Sequence, residues 1–235
     1  MSFLTRLTLW VLPLVFWSFN GFCGDLALYT ENYPPYNYEQ AGEVRGVNTE
    51  LLLRAAEKGN VNIVREDILV LPWARAYSSV LHTPDSCVYT TMRTEKREPL
   101  FKWVGPLVNT EKVLMGLKKK GIQIDTLKDA QGYVIGTVID DVCGHMLLDA
   151  GMPEKNIDPT SSALLNLRKL LRGRIDLVAY DELTLDYVAS NNGIDPDQFE
   201  TVYVIGRGDH YLACNPETNA TILDRLQNAL DSIQY

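Results

Sequence analysis

Strand-like and helix-like stretches alternate along almost the whole chain, and this alternation limits the possible folds more than any other feature. Leu26 to Thr30 reads as a strand, and Asn48 can cap a helix running to Lys58 with Leu51, Leu52 and Ala55 on one face. Val61 to Arg65 reads as the next strand, Pro72 opens a helix with Ala74, Tyr77, Val80 and Leu81 inward, and Ser86 to Thr91 is strand again. The theme repeats. Strands are expected at 113–118, 133–138, 177–180, 199–204 and 211–215. Helices are expected after Thr126, after Asp140-Asp141, after Ser161-Ser162, after Asp181, and over 220–233. Such a βαβαβ order predicts an α/β fold on a largely parallel sheet with right-handed crossovers.

The amino terminus reads as an export signal. Arg6 precedes an apolar run, Leu7 to Phe19, of about 13 residues, where a spanning helix needs roughly 20. Residues 1–24 are therefore expected to be removed, leaving a periplasmic protein. Acidic residues outnumber basic ones, 30 to 22, for a net charge of −8. That balance argues against nucleic acid and against docking on anionic lipid. An oxidising compartment allows one bridge among Cys87, Cys143 and Cys214, though all three also suit buried apolar positions. Cys143 and His145 have no second pair nearby to complete a metal site, so no metal and no cofactor is expected. No nucleophile elbow, phosphate loop or paired-histidine motif is present; Gly206-Arg207-Gly208 is only a fragment of a dinucleotide fingerprint.

Polar and aromatic residues cluster just beyond the expected strand ends, where open α/β sheets bind ligands. These are Tyr33-Pro34-Pro35-Tyr36, Trp73-Ala74-Arg75, the run Met92 to Arg97, Asp140-Asp141 and Tyr180-Asp181. Rings, arginines and carboxylates at one sheet edge suit a polar organic ligand with an apolar body.

An ordered set of motifs carries a resemblance. Tyr29 to Tyr36 leads into Gly46-Val47-Asn48; Thr94-Glu95-Lys96-Arg97 is followed by Phe101-Lys102-Trp103-Val104-Gly105-Pro106; then come Leu127 to Gly132 and Gly173 to Val178 with Tyr180-Asp181. Together they resemble the family-3 bacterial extracellular solute-binding proteins, the polar amino-acid-binding group with the type II periplasmic binding protein fold.

The resemblance implies two lobes joined by two crossing segments. Lobe one would be 25–108 with 210–235, lobe two 112–205, and the crossings Leu107 to Glu111 and Ile205 to Asp209 the hinge. It implies a non-enzymatic, monomeric protein that captures a small polar, amino-acid-like ligand by lobe closure and serves an ABC permease. Delivery of the signal to a membrane receptor is the alternative; a dehydratase-like enzyme would need Asp181 or Glu182 as its acid or base. Arg97 falls where the family grips a ligand carboxylate, Asp181 where it faces the ligand ammonium, and Tyr33 where a ring covers the ligand. Trp73, Arg75 and Arg93 are cleft candidates by location, and Asp141 beside Asp181 in the cleft would make the second lobe favour cations. The family's returning strand lies antiparallel beside its third, which implies a Cys87–Cys214 disulfide. Two departures stand out: Asp140-Asp141 replace Gly-Thr-like residues at an anion-binding helix opening, and Met92 replaces a small hydroxyl residue.

Overall fold

The computed structural model describes residues 25–234, so the expected signal segment 1–24 lies outside it. The elements in chain order are β1 (Ala27–Thr30), β2 (Tyr38–Gln40), β3 (Glu43–Arg45), α1 (Val47–Gly59), β4 (Leu69–Val70), α2 (Trp73–His82), β5 (Ser86–Met92) and β6 (Lys102–Leu117). They continue with β7 (Ile135–Val138), α3 (Val142–Asp149), β8 (Ile157–Thr160), α4 (Ala163–Leu171), β9 (Leu177–Asp181), α5 (Glu182–Asn191), β10 (Phe199–Cys214) and α6 (Ala220–Gln234).

Two 16-residue strands, β6 and β10, organise the molecule. They pair antiparallel from Cys214↔Lys102 to Phe199↔Leu117. One end of this ribbon joins β5, with Cys214 opposite Cys87. The other end joins β9, with Lys112 opposite Asp181. The sheet order β4-β1-β5-β10-β6-β9-β7-β8 is thus two half-sheets that share two strands. The outer strands on each side pair in parallel, as the βαβ pattern requires.

Each half-sheet is covered on both faces. In lobe one, Leu52 and Ala55 of α1 and Leu226 and Leu230 of α6 pack on Leu28, Tyr89 and Leu212. On the opposite face, Ala76 and Val80 of α2 meet Val88 and Ala213. In lobe two the two-residue period of a strand divides the faces. Leu114, Leu177 and Ala179 face Cys143 and Leu147 of α3. Val113, Met115 and Val178 face Leu167, Leu170 and Leu185 of α4 and α5. A disulfide joins Cys87 to Cys214, with their Cα atoms 4.0 Å apart; Cys143 is a buried free thiol.

Four local expectations differ from the structure. Residues 61–65 do not form a strand. Arg65 instead grips Glu50 with both arms (2.7 Å each) and donates to the Val44 carbonyl, holding its segment off the sheet, and Leu69–Val70 takes the place beside β1. The stretches 199–204 and 211–215 belong to one strand, because the polar residues between them pair with β6. β8 is hidden in the sequence by Pro159, which an edge strand tolerates. Asn48 does not cap α1. Gly46 does, at φ 118, and a Cβ there would lie 2.3 Å from the Tyr36 carbonyl oxygen, while Asn48 reaches Thr90 Oγ1 at 3.0 Å.

Candidate functional site

Lobe one presents packed side chains to the cleft. After β1 the chain folds back on itself: Tyr33 N–H donates to Asn37 O at 2.7 Å, and the Asn37 amide donates to Thr30 Oγ1 at 2.7 Å. This buries Tyr33 between the lobes. Trp73 is the first residue of α2 behind Pro72, and its Nε1–H crosses to the Asp140 carbonyl at 2.8 Å. Arg97, 6% exposed, lies with its guanidinium carbon 5.3 Å from the Trp73 ring and 5.2 Å from the Tyr77 ring. It donates to the carbonyls of Met92 and Asp140 at 3.3 Å each. Among the described residues no carboxylate forms an ion pair with it.

Lobe two presents helix entrances. Asp140 adopts φ 58, which turns its carbonyl toward Trp73 and Arg97. Asp141 caps α3 by accepting from Cys143 N at 3.0 Å. Asp181, buried, caps α5 by accepting from Thr184 N at 3.0 Å, and the Thr184 hydroxyl donates across the cleft to the Pro34 carbonyl at 2.6 Å. Burial, and then the Asp181 charge beside it, raises the Tyr36 hydroxyl well above its usual range.

Between these walls lies an inner cavity of about 10 Å³, room for roughly one water. Lys112 of β6, 2% exposed, bonds to the Tyr33 hydroxyl and sits 4.9 Å from that ring's centre. Burial, helped by the Asp141 charge, pushes the Glu31 carboxyl up to about 8, against the pull of Lys112 and Arg97. His210 is held well below its ordinary value, first by burial and then by Lys112, and its Nδ1 has no hydrogen-bond partner. Thr90 borders the same space with φ 62, an uncommon conformation for a β-branched residue that places strain at the cavity wall. The cavity therefore joins two cations, an aspartate, a carboxyl that keeps its proton near neutral pH and a neutral imidazole. Such a set can match both ends of a small zwitterion.

Outward from Arg97, a second chamber of about 640 Å³ opens between α2 and α3. Its rim carries an ion pair between Lys96 of lobe one and Asp149 of lobe two.

Four of the expected residues, Tyr33, Trp73, Arg97 and Asp141, surround the inner cavity. Asp181 lines a neighbouring recess with Tyr36, Thr110 and Arg207, its oxygen engaged by its own helix. Arg75 and Arg93 do not reach the cleft. Trp73, Ala76 and Val80 form the buried stripe of α2, which leaves Arg75 on the solvent side. Arg93 forks onto Glu98 at 2.6 Å through two nitrogens and rests on the Trp103 and Tyr211 rings. Sequence reasoning missed Glu31, Thr90, Lys112 and His210. Glu31 follows a strand end directly, and Lys112 is a lysine at the edge of the apolar run 113–115; both were readable signals. Among the described residues no group of three or more His, Cys, Asp or Glu is placed to hold a metal, and no helix is long and apolar enough to cross a membrane.

No family model and no curated protein matches the chain. Solved structures do. A histidine kinase sensor domain with similarity to periplasmic binding proteins superposes with a TM-score of 0.79 at 18% identity, covering 90% of this chain and 91% of that one. Holo ArgBP from T. maritima gives 0.75 at 16%, covering 89% and 91%. An ABC uptake transporter substrate-binding protein from Streptococcus pneumoniae with bound histidine gives 0.75 at 16%, covering 89% and 87%. At these identities the likeness establishes the architecture: the chain has the two-lobed α/β fold of the periplasmic binding proteins.

Proposed function

We propose that the chain is an exported solute-binding protein of the family-3 type, whose lobes, 25–108 with 210–235 and 112–205, close on a small polar, amino-acid-like ligand and deliver it to an ABC permease. The observation that carries this reading is the cavity between the lobes, lined by Arg97, Lys112 and Asp141 together with the rings of Tyr33 and Trp73. Arg97 receives the ligand's anionic group, because a buried guanidinium whose partners are neutral gains most from a carboxylate. Asp141 receives the cationic group, and Asp181 holds α5 in place beside it. A cavity with room for about one water admits an amino acid only after the lobes part, so capture requires opening and reclosure. The arginine-bound and histidine-bound proteins among the neighbouring folds support the ligand class.

A thermal-shift screen against amino acids, polyamines and small organic acids tests it, since a ligand in excess over its Kd raises the melting temperature by mass action. Arg97→Ala should weaken the ligand found by roughly thirtyfold or more, as removing one partner of a desolvated charge pair costs about 2–5 kcal/mol. A screen without a hit, or unchanged affinity in Arg97→Ala, sinks the reading.

The likeness to a histidine kinase sensor domain favours a second use of the same site, in which the closed lobes signal to a membrane receptor. Uptake of radiolabelled ligand in a strain lacking the protein separates the two. Transport falls if the partner is a permease and persists if it is a receptor.

A further inference from the structure

Resting on the solute-binding reading, we infer that the ligand is a carboxylate carrying an apolar body about the size of an aromatic ring, its carboxylate on Arg97 and its body in the outer chamber between α2 and α3. Volume points there first. Sites for small organic ligands occupy about 300–1,000 Å³; the outer chamber holds about 640 Å³ and the inner cavity about 10 Å³. The outer walls are mostly apolar and come from both lobes: Tyr77, Leu81 and Leu100 from lobe one, Val142 and Met146 from lobe two. An apolar body gains by leaving water against that surface.

Charge fixes the other end. Arg97 borders both spaces, so its guanidinium stands where the chamber meets the inner cavity. It is buried, and the described carboxylates leave it unpaired. The chamber's other cation of lobe one, Lys96, is exposed and already matched by Asp149 across the rim. That pair ties the lobes together at the chamber's rim, so a body lying between α2 and α3 contacts both lobes.

Ser78 offers a way to test this without disturbing the core. It lies on α2 at the chamber wall and is exposed. Ser78→Trp should fill the chamber while leaving the melting temperature near that of the wild type, and Ala74→Trp is a second blocking variant from the same wall. Isothermal titration of the purified protein would use 3-phenylpropionate, phenylalanine, glutamine and arginine, with 3-phenylpropanol as the uncharged counterpart. The expected result is binding of the phenyl-bearing carboxylates, loss of at least tenfold in affinity in the blocked variants, and no binding of 3-phenylpropanol. If glutamine or arginine binds and Ser78→Trp and Ala74→Trp leave that affinity unchanged, the outer-chamber inference is overturned while the solute-binding reading stands. If 3-phenylpropanol binds as tightly as 3-phenylpropionate, the role given to Arg97 is wrong. If none of the carboxylates binds, the inference falls, and the broader thermal-shift screen decides the solute-binding reading separately.

Discussion

Lobe one meets the cleft with Tyr33, Trp73 and Arg97, side chains locked by packing and ring contacts, whereas lobe two meets it with Asp140, Asp141 and Asp181, residues at the entrances of helices. Lobe one is also tied shut behind the site by Cys87–Cys214, while lobe two keeps Cys143 as a free buried thiol. The contrast shows two ways of fixing a polar group between layers. Lobe one orders long side chains at an entropic cost met by packing. Lobe two uses short carboxylates whose positions are set by the amides they cap.

The largest expected difference between the lobes concerns the cysteines. Replacing Cys87 and Cys214 by serine should cost about 2–5 kcal/mol, since the bridge spans a long loop. Cys143→Ala should cost only about 1 kcal/mol. Urea denaturation of the three proteins measures both, and equal losses would erase the distinction. Next comes the cap of α5. Asp181→Ala should lower stability by about 1–2 kcal/mol, because it strips a buried acceptor from Thr184, so any loss of ligand affinity must be judged against the variant's own melting curve.

A smaller effect, carried by two groups of lobe one, runs through pH. Glu31, raised to about 8 when folded, holds its proton in the native state and releases it in the unfolded one between about pH 4.5 and 8. Its contribution is present in full at the acid end of that window and is lost as pH rises through 8. His210, lowered when folded, acts in the opposite sense below its ordinary value of 6.5. Between pH 6.5 and 8 the Glu31 slope should stand alone, at about 1 kcal/mol after allowance for partial exposure. Glu31→Gln should flatten stability across that window, and an unchanged slope would refute the assignment. Smallest of all, Arg75→Ala and Arg93→Ala should leave ligand affinity untouched and shift stability by no more than about 0.5 kcal/mol.

The elements with a clear period were legible in the sequence. α2, β5, α4 and α6 fall close to their expected ranges because apolar spacing, Pro72 and Ser162 all point the same way. Segments governed by distant partners were not. Residues 61–65 look like a strand until Arg65 finds Glu50, and the polar middle of β10 looks like a loop until it pairs with β6. The site divides similarly. Tyr33, Trp73, Arg97 and Asp141 follow strand ends, so position alone places them near the cleft. Arg75 and Arg93 share that neighbourhood in sequence, but helix phase and the Glu98 carboxylate turn them outward. His210 sits inside a long strand, and only its register across the sheet brings it to the cavity.

The ribbon of β6 and β10 has a mechanical consequence. Because the two crossings pair with each other from Gly206↔Lys112 to His210↔Val108, neither can flex without carrying the other. Relative motion of the lobes should collapse to a single coordinate, a flexing of the ladder where its register shifts, near Val204 to Gly206 and His210 to Leu212. On the proposed function, a partner at the outer rims would then receive one number, the gap between Lys96 and Asp149, rather than a swivel of arbitrary direction.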